Sequence, residues 1–373
     1  MTIYVLGLPL SLADRFHPDY WILAMNFIRN AWYAACQSQQ VRSGEMFHRV
    51  LLEEPVVFYR KQDGSLVALR DRCPHRFVPL HLGKLQGDEI ECGYHGLRFD
   101  CTGSCVSNPH GDNKTQESAR VQSYSAHDRY GLVWIWMGDA PADSTRIPHY
   151  GLHDADSNYQ VVSGYLHVGA NYLLMADNLL DLSHLMYLHD GLLGDRDQAG
   201  AKQVVQEDEQ GRLVCRRWMP NSKVPAVFDL LYRRDQKLVD MWTEIRWMAP
   251  SYFWFDGGVH EPQRGEREDH GWWYGQHLLT PETKSTTHYH FAAALPPGTQ
   301  LDENDKATFA EMRRFAFAEQ DKVMLEAQQA ALGDSDFWAM KPALFSVDAA
   351  PVRMRRAVER LVNAEIAEGG VQP

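Results

Sequence analysis

The feature that most constrains this chain is a pair of short segments, each holding one cysteine and one histidine. Cys73-Pro74-His75 is followed, sixteen residues on, by Cys92-Gly93-Tyr94-His95. Two loops that share a metal group must meet at one point, which calls for a small, tightly turned scaffold. Gly93 and Gly96 flank the second pair, and Pro74 and Pro79 stiffen the first. The sequence around them is β-rich. Val56-Val57-Phe58-Tyr59 and Leu66-Val67-Ala68-Leu69 read as strands, and Asp63-Gly64 between them supplies a hairpin turn. Gly83, Gly87, Gly93, Gly96 and Gly103 predict short strands and tight loops, and Leu132–Trp136 a final buried strand.

Two Cys on one iron and two His on the other is the ligand set of a Rieske-type 2Fe–2S centre, in which neutral imidazole raises the reduction potential. The rival is structural zinc, which Cys₂His₂ also suits. Zinc fingers usually place both Cys together and both His together, whereas each loop here holds one of each, so the cluster is expected. Cys36, Cys101, Cys105 and Cys215 complete six cysteines, sparse in 373 residues. Metal or redox use in a reducing cytosol, rather than a disulfide framework, is the better reading, and a cytoplasmic location is expected. Cys101 and Cys105 read as small buried residues near a turn.

The length and a 45% hydrophobic content suit two domains, each with its own core. Residues 25–140 are expected to form the cluster domain and 151–373 a second domain. The small, polar, Pro-containing stretch 141–150 is the linker. Residues 1–24 have no basic n-region, and Met25 opens a more fluent segment, so 1–24 reads as an upstream extension. A net charge of −12 argues against nucleic acid and against an anionic membrane surface. No stretch approaches the ~18–20 apolar residues of a membrane span.

In the second domain, a helical pattern is expected over about 170–188, strands between 213 and 294, and a long helix over about 303–332. Trp272 and Trp273 read as strand-core aromatics. The first helix holds Asp181, His184 and His189. Asp181 and His184 would share a helix face, but His184 and His189 are i,i+5, about 140° apart on an ideal helix. If both reach one ion, the helix must distort, by a π-type turn or a break before His189. A facial triad also needs a carboxylate. Asp321 on the long helix lies on an apolar stripe with Phe317, Met324 and Leu325, where a metal would relieve the cost of burying its charge.

Asp71-Arg72-Cys73-Pro74-His75-Arg76 and Cys92-Gly93-Tyr94-His95-Gly96-Leu97 resemble the cluster loops of Rieske non-haem iron oxygenases. Neither loop carries the extra cysteine of the cytochrome bc-type Rieske proteins. The opening Phe27-Ile28-Arg29-Asn30-Ala31-Trp32-Tyr33, the run Asp177-Asn178-Leu179-Leu180-Asp181-Leu182-Ser183-His184, and the helix around Asp321 are most similar to one subgroup. It contains the oxygenase components of vanillate O-demethylase, toluenesulfonate methyl-monooxygenase and dicamba O-demethylase. The resemblance covers the chain from Met25 and implies an α+β fold: an all-β Rieske domain, then a helix-grip catalytic domain of antiparallel sheet plus long helix.

It further implies one Rieske cluster on Cys73, His75, Cys92 and His95, and one mononuclear Fe(II) on His184, His189 and Asp321. Asp181 would orient His184 and bridge electron flow from the cluster of a neighbouring subunit in a head-to-tail homotrimer. His277 matches a pocket segment of the dicamba enzyme; Met312 and Asn178 are further substrate-contact candidates. The implied reaction is oxidative O-demethylation of a methoxylated aromatic with O₂, releasing formaldehyde. Methyl or ring hydroxylation, or electron carriage alone, are the rivals. No Rossmann fingerprint and no second cluster motif are present, so NAD(P)H would be used by a separate flavin/2Fe–2S reductase.

Overall fold

The computed structural model describes residues 4–5, 8–9, 27–151, 157–262 and 271–368. The expected extension 1–24 and its boundary at Met25 lie largely outside these; of the extension only a short pair, β1 (Tyr4–Val5) with β2 (Leu8–Pro9), is described.

The cluster domain is all β, in three small antiparallel sheets. One holds β3 (Trp32–Gln37), with β12 (Ala126–Arg129) and β13 (Leu132–Trp136). Another holds β4 (Phe47–Leu51), β5 (Glu54–Arg60), β6 (Leu66–Arg70) and β11 (Ser123–Tyr124). The third holds β7 (Lys84–Gln86), β8 (Glu89–Glu91), β9 (Arg98–Phe99) and β10 (Cys105–Ser107). The Asp63-Gly64 turn joins β5 to β6 with Val57 opposite Leu69. Gly64 sits at φ +84°, a conformation that a β-carbon disfavours.

The second domain is built on one seven-stranded antiparallel sheet. Its strands are β14 (Gln160–Val168), β15 (Gln203–Glu207), β16 (Leu213–Ser222), β17 (Val239–Met248), β18 (Tyr252–His260), β19 (Gly271–Thr283) and β20 (Thr286–Leu295). Their spatial order is β14-β20-β19-β18-β17-β16-β15, so each hairpin neighbour is a sheet neighbour except β14, which pairs with β20. The helices are α1 (Tyr172–Leu180), α2 (Ala226–Leu231), α3 (Glu303–Arg314), α4 (Lys322–Leu332) and α5 (Ala349–Glu368). A π-helical segment, Phe315–Asp321, joins α3 to α4, so the long helix expected over 303–332 is continuous. It grips the sheet through Phe309 against Trp273 and Phe317 against Phe291, with ring centroids 5.6 and 4.9 Å apart.

The helix expected over 170–188 ends at Leu180. The Asp181 carboxylate accepts from the Ser183 amide at 2.8 Å, an Asx turn that competes with the next helical turn. Asp181 and His184 therefore do not share a helix face, and His184–Met186 forms a short 3₁₀ turn. The break lies earlier than expected, and the π distortion falls on the Asp321 helix instead.

The two domains are joined along a wide seam. Tyr252 Oη donates to Trp32 O at 2.5 Å, Thr280 Oγ1 to Ala34 O at 2.8 Å, and Leu52 N to Pro281 O at 2.9 Å. The connecting stretch takes part: Ile147 and Tyr150 are buried with Trp32, Trp134, Trp136 and Leu278. At the C-terminus, Glu365 accepts from the amides of Arg29 and Asn30 at 2.7 and 2.8 Å, tying α5 to the start of the cluster domain. Among the described residues, no helix is long and apolar enough to cross a membrane.

Candidate metal centres and active site

The two Cys/His loops are near copies of one turn. Cys73 N donates to Val78 O at 2.9 Å and Phe77 N returns to Cys73 O at 2.9 Å. Cys92 N donates to Leu97 O at 2.8 Å and Gly96 N returns to Cys92 O at 2.9 Å. Phe77 and Gly96, equivalent in the two turns, have φ of +62° and +70°. A side chain at +62° is strained, which is tolerated where the surrounding structure over-determines it. Beside the second turn, β7 and β8 pack so closely that a β-carbon on Gly83 would lie 2.0 Å from Glu91 O.

Both cysteines are buried, His75 is exposed and His95 half-buried. The two imidazoles face outward with centroids 4.5 Å apart. Burial pushes the Cys73 thiol up to about 11, so a thiolate there needs a metal to hold it. Among the described residues, the sets of three or more ligand atoms mutually within 4.8 Å are His48/Asp71/His81 and His184/His189/Asp321. The Cys/His loops are not among them. Two thiolates and two imidazoles from a pair of matched turns are the donor set of a Rieske 2Fe–2S cluster.

His48/Asp71/His81 is bracing rather than a metal holder. Asp71 accepts from the His81 amide at 2.8 Å and pairs with its Nδ1, while His48 stacks on His81 at 3.7 Å with planes 6° apart. Rings stacked in parallel aim their nitrogens along separate planes and cannot converge on one ion. The arrangement steadies the segment leading into Cys73.

In the catalytic domain, His184 Nε2 and His189 Nε2 lie 3.5 and 3.2 Å from Asp321 Oδ1. The other ring nitrogens set the tautomers. His184 Nδ1 meets the Asp181 carbonyl, and His189 Nδ1 meets Gln320 Oε1 at 2.8 Å. A carbonyl can only accept. Gln320 also donates from Nε2 to Leu188 O at 2.7 Å, which fixes its amide orientation. Both Nδ1 atoms therefore carry hydrogen, so Nε2 is the nitrogen each ring presents toward Asp321, and in the neutral ring that nitrogen is the one able to ligate a metal. Burial opposes charge on these groups, yet their contacts outweigh it: His184 is raised, and Asp321 is held well below the usual carboxylate range. Two imidazoles and one carboxylate converging on one side fit a mononuclear iron site with open positions.

Asp181 reaches His184 through its main chain; its Oδ2 is 4.0 Å from His184 Nδ1. The carboxylate faces an outer cleft lined also by Tyr187, Met324, Leu344 and Arg355. Arg217 is a supporting residue that the sequence pattern did not single out. Its buried guanidinium donates to the carbonyls of Leu182, Gln198, Ala199 and Ala201 at 2.9–3.1 Å, clamping the loop that carries both histidines.

Behind the triad lies a cavity lined by Leu182, Phe228, Phe255, Trp273, His277, Arg313 and Phe317, among others. Its volume is ≈ 70 Å³, below the roughly 150 Å³ of a cavity that admits benzene. His277 lines it; its Nδ1 is bonded to Tyr289 Oη at 2.6 Å, and burial pushes it down to about 3, hence neutral. Trp273, expected as strand core, is also cavity wall. Asn178 lines the cavity, but its amide donates to Asp321 Oδ1 at 3.1 Å, so it steadies a ligand. Met312, proposed on sequence grounds as facing the cavity, does not line it and packs half-buried against the core. Arg313 takes its place. The π segment adds a residue to the turn, which puts Arg313, Phe317 and Asp321 on one stripe.

Comparison with known proteins places these features in a family. The Rieske [2Fe-2S] domain model matches residues 31–125, and the vanillate O-demethylase oxygenase C-terminal domain model matches residues 168–364. The oxygenase component of chloroacetanilide N-alkylformylase from Rhizorhabdus wittichii is 36% identical, covering 91% of this chain and 97% of its own. The oxygenase component of dicamba O-demethylase from Stenotrophomonas maltophilia is 36% identical, covering 92% and 100%. A crystal structure of dicamba monooxygenase bound to 3,6-dichlorosalicylic acid superposes with a TM-score of 0.81 at 35% identity, covering 91% and 99%. The chain therefore belongs to the Rieske non-haem iron oxygenases, as an oxygenase component joining a Rieske domain to a catalytic domain of the vanillate O-demethylase type.

Proposed function

We propose that this oxygenase component O-demethylates a methoxylated aromatic compound. The observation that carries the reading is the His184/His189/Asp321 set, half-buried at His184 and buried at the other two, opening onto a cavity walled by Phe228, Phe255, Trp273 and Phe317. In this reading residues 25–140 hold the cluster, on Cys73, His75, Cys92 and His95, and 151–373 hold iron on His184, His189 and Asp321. When bound, the iron supplies O₂ activation and the cluster supplies electrons singly. Overall, one oxygen atom enters the methyl carbon, the other leaves as water, and two electrons come from NAD(P)H. The hemiacetal so formed collapses to a phenol and formaldehyde.

The protein's own groups prepare this reaction. Asp181 O and Gln320 Oε1 hold the two imidazoles with Nε2 bare, and Asn178 steadies Asp321. The aromatic walls strip water from the ring and leave the methoxy group facing the triad.

Electrons arrive from a separate reductase, a flavin/2Fe–2S protein using NAD(P)H, and pass between subunits of a head-to-tail homotrimer. Two exposed apolar patches support the assembly. Phe77, Leu82 and Tyr94 lie exposed on the cluster domain, Tyr94 against His95, and Tyr187, Met324 and Leu344 line the cleft into which Asp181 faces. Two distinct patches of this kind suit a heterologous contact, which forms a ring when its rotation closes. The decisive experiment offers the iron-loaded protein, a suitable reductase and NADH to methoxybenzoates, aryl sulfonates and N-methyl compounds. Stoichiometric formaldehyde from a methoxyarene supports the reading. Hydroxymethyl or ring-hydroxylated products without formaldehyde overturn it, as does NADH-driven reduction of the cluster with no substrate turnover.

A further inference from the structure

Arg313 is a cation in an apolar cavity, and its pairing is incomplete. Its side chain is 3% exposed. Nη1 donates to Val162 O at 3.2 Å, while Nη2 is buried with no partner. The rings of Phe291, Phe309 and Phe317 stand 5.5–5.6 Å from its guanidinium carbon. Arg217, buried in the same domain, shows the structural alternative: its two Nη atoms meet four carbonyls and only its Nε lacks a partner, whereas in Arg313, part of the cavity wall, a terminal nitrogen is left over. A buried charge without a counter-ion is costly and is retained where something compensates it. Burial lowers the Arg313 guanidinium to about 10, which leaves it charged at neutral pH. His277, the other basic group in the wall apart from the iron histidines, is neutral. Asp321 is the acid in the wall, and it makes no ion pair with Arg313.

We propose that Arg313 anchors an anionic group on the substrate, an aryl carboxylate or sulfonate that pairs with the free Nη2, and so determines substrate specificity. The cavity then sorts its ligand by polarity: anion toward Arg313, ring against Phe317 and Trp273, reacting group toward Asp321. Arg313 and Asp321 are eight residues apart on one helix stripe with Phe317 between them, which sets the anion site and the reacting group at opposite ends of the stripe. The orientation of the reacting group rests on the O-demethylation reading; the anion site does not.

The test measures binding to iron-loaded protein by calorimetry. The probes are 3-methoxybenzoate, 3-methoxybenzenesulfonate and the neutral 3-methoxybenzamide. Wild type is expected to prefer an anion over the amide by about 10–100-fold, the worth of a charge-assisted hydrogen bond. In Arg313→Met that ratio falls toward one, and Arg313→Lys keeps part of it. Equal affinities in wild type overturn the proposal, as does an undiminished ratio in an Arg313→Met protein that retains cluster and iron. If the Arg313→Met protein does not fold, the wild-type ratio and the Arg313→Lys protein decide. Anion preference without formaldehyde release refutes O-demethylation and leaves the anchor standing. Formaldehyde release without anion preference does the reverse.

Discussion

Replacing Arg355 with Met is expected to destabilise the catalytic domain in a pH-dependent way. Arg355 Nε and Nη2 hold the Asp177 carboxylate at 2.6–3.0 Å, joining α5 to α1 just before the iron loop. The two side chains are 7% and 18% exposed. Breaking a fully buried pair costs roughly 3–5 kcal/mol, and the residual exposure of Asp177 argues for the lower end. The guanidinium also lies 4.0 Å from the Phe337 ring centre, a contact worth about 0.5–1 kcal/mol. Together the loss is about 3–4 kcal/mol at pH 8.

The pH dependence has a definite sign. Burial, against the pull of Arg355, pushes the Asp177 carboxyl up to about 6, from roughly 3.9 in the unfolded chain. Between those values the native state binds more protons, so this group's contribution to stability falls as pH rises through that window. Arg355→Met removes the pull and raises the carboxyl further. At pH 5 the native carboxyl is mostly protonated with or without Arg355, and the variant loses little; at pH 8 it loses the full amount. Urea unfolding of the iron-loaded protein, followed by tryptophan fluorescence at both pH values, measures this. A destabilisation that is the same at pH 5 and pH 8, or below about 1 kcal/mol at pH 8, would refute the reasoning.

Gln320→Ala should weaken iron binding about 10–100-fold, since His189 loses its orienting acceptor; competition with a chelator reads this, with the cluster's visible spectrum unchanged. Asp181→Asn should retain both metals and the Ser183 turn, because an amide oxygen also accepts, yet lose turnover with cluster reduction intact; normal turnover would sink the bridge role. Gly83→Ala should cost about 1–3 kcal/mol or more, because the added carbon meets main chain; earlier bleaching of the cluster in urea would show it.

The loops and triad were legible from local pattern because their chemistry is concentrated. Cys73, His75, Cys92 and His95 are ligand types at a telling spacing, and Asp321 is an acid on an apolar stripe. What stayed hidden depended on geometry that periodicity does not encode. The Asx turn at Asp181 stops the helix one turn before the metal ligands, although Leu-rich sequence continues through Leu188. The π segment adds a residue to a turn, so the position in line with Asp321 is Arg313, eight residues back, while Met312, nine back, falls off the stripe. Asn178 was placed near the site, but the group it touches is Asp321.

Residue types and spacing thus pointed to the donor groups of both candidate metal sites, and the family resemblance they carry implied the α+β class of fold. A metal site needs particular donor atoms, and those are written in the residues themselves. Only tertiary structure decided which nitrogen each histidine presents, what braces the loops, and which side chains wall the cavity. Those depend on hydrogen-bond partners and packing neighbours far away along the chain. Arg313 is the clearest case: in sequence it is one arginine in an amphipathic helix, and the fold leaves it buried beside three phenylalanines with one of its nitrogens unpaired.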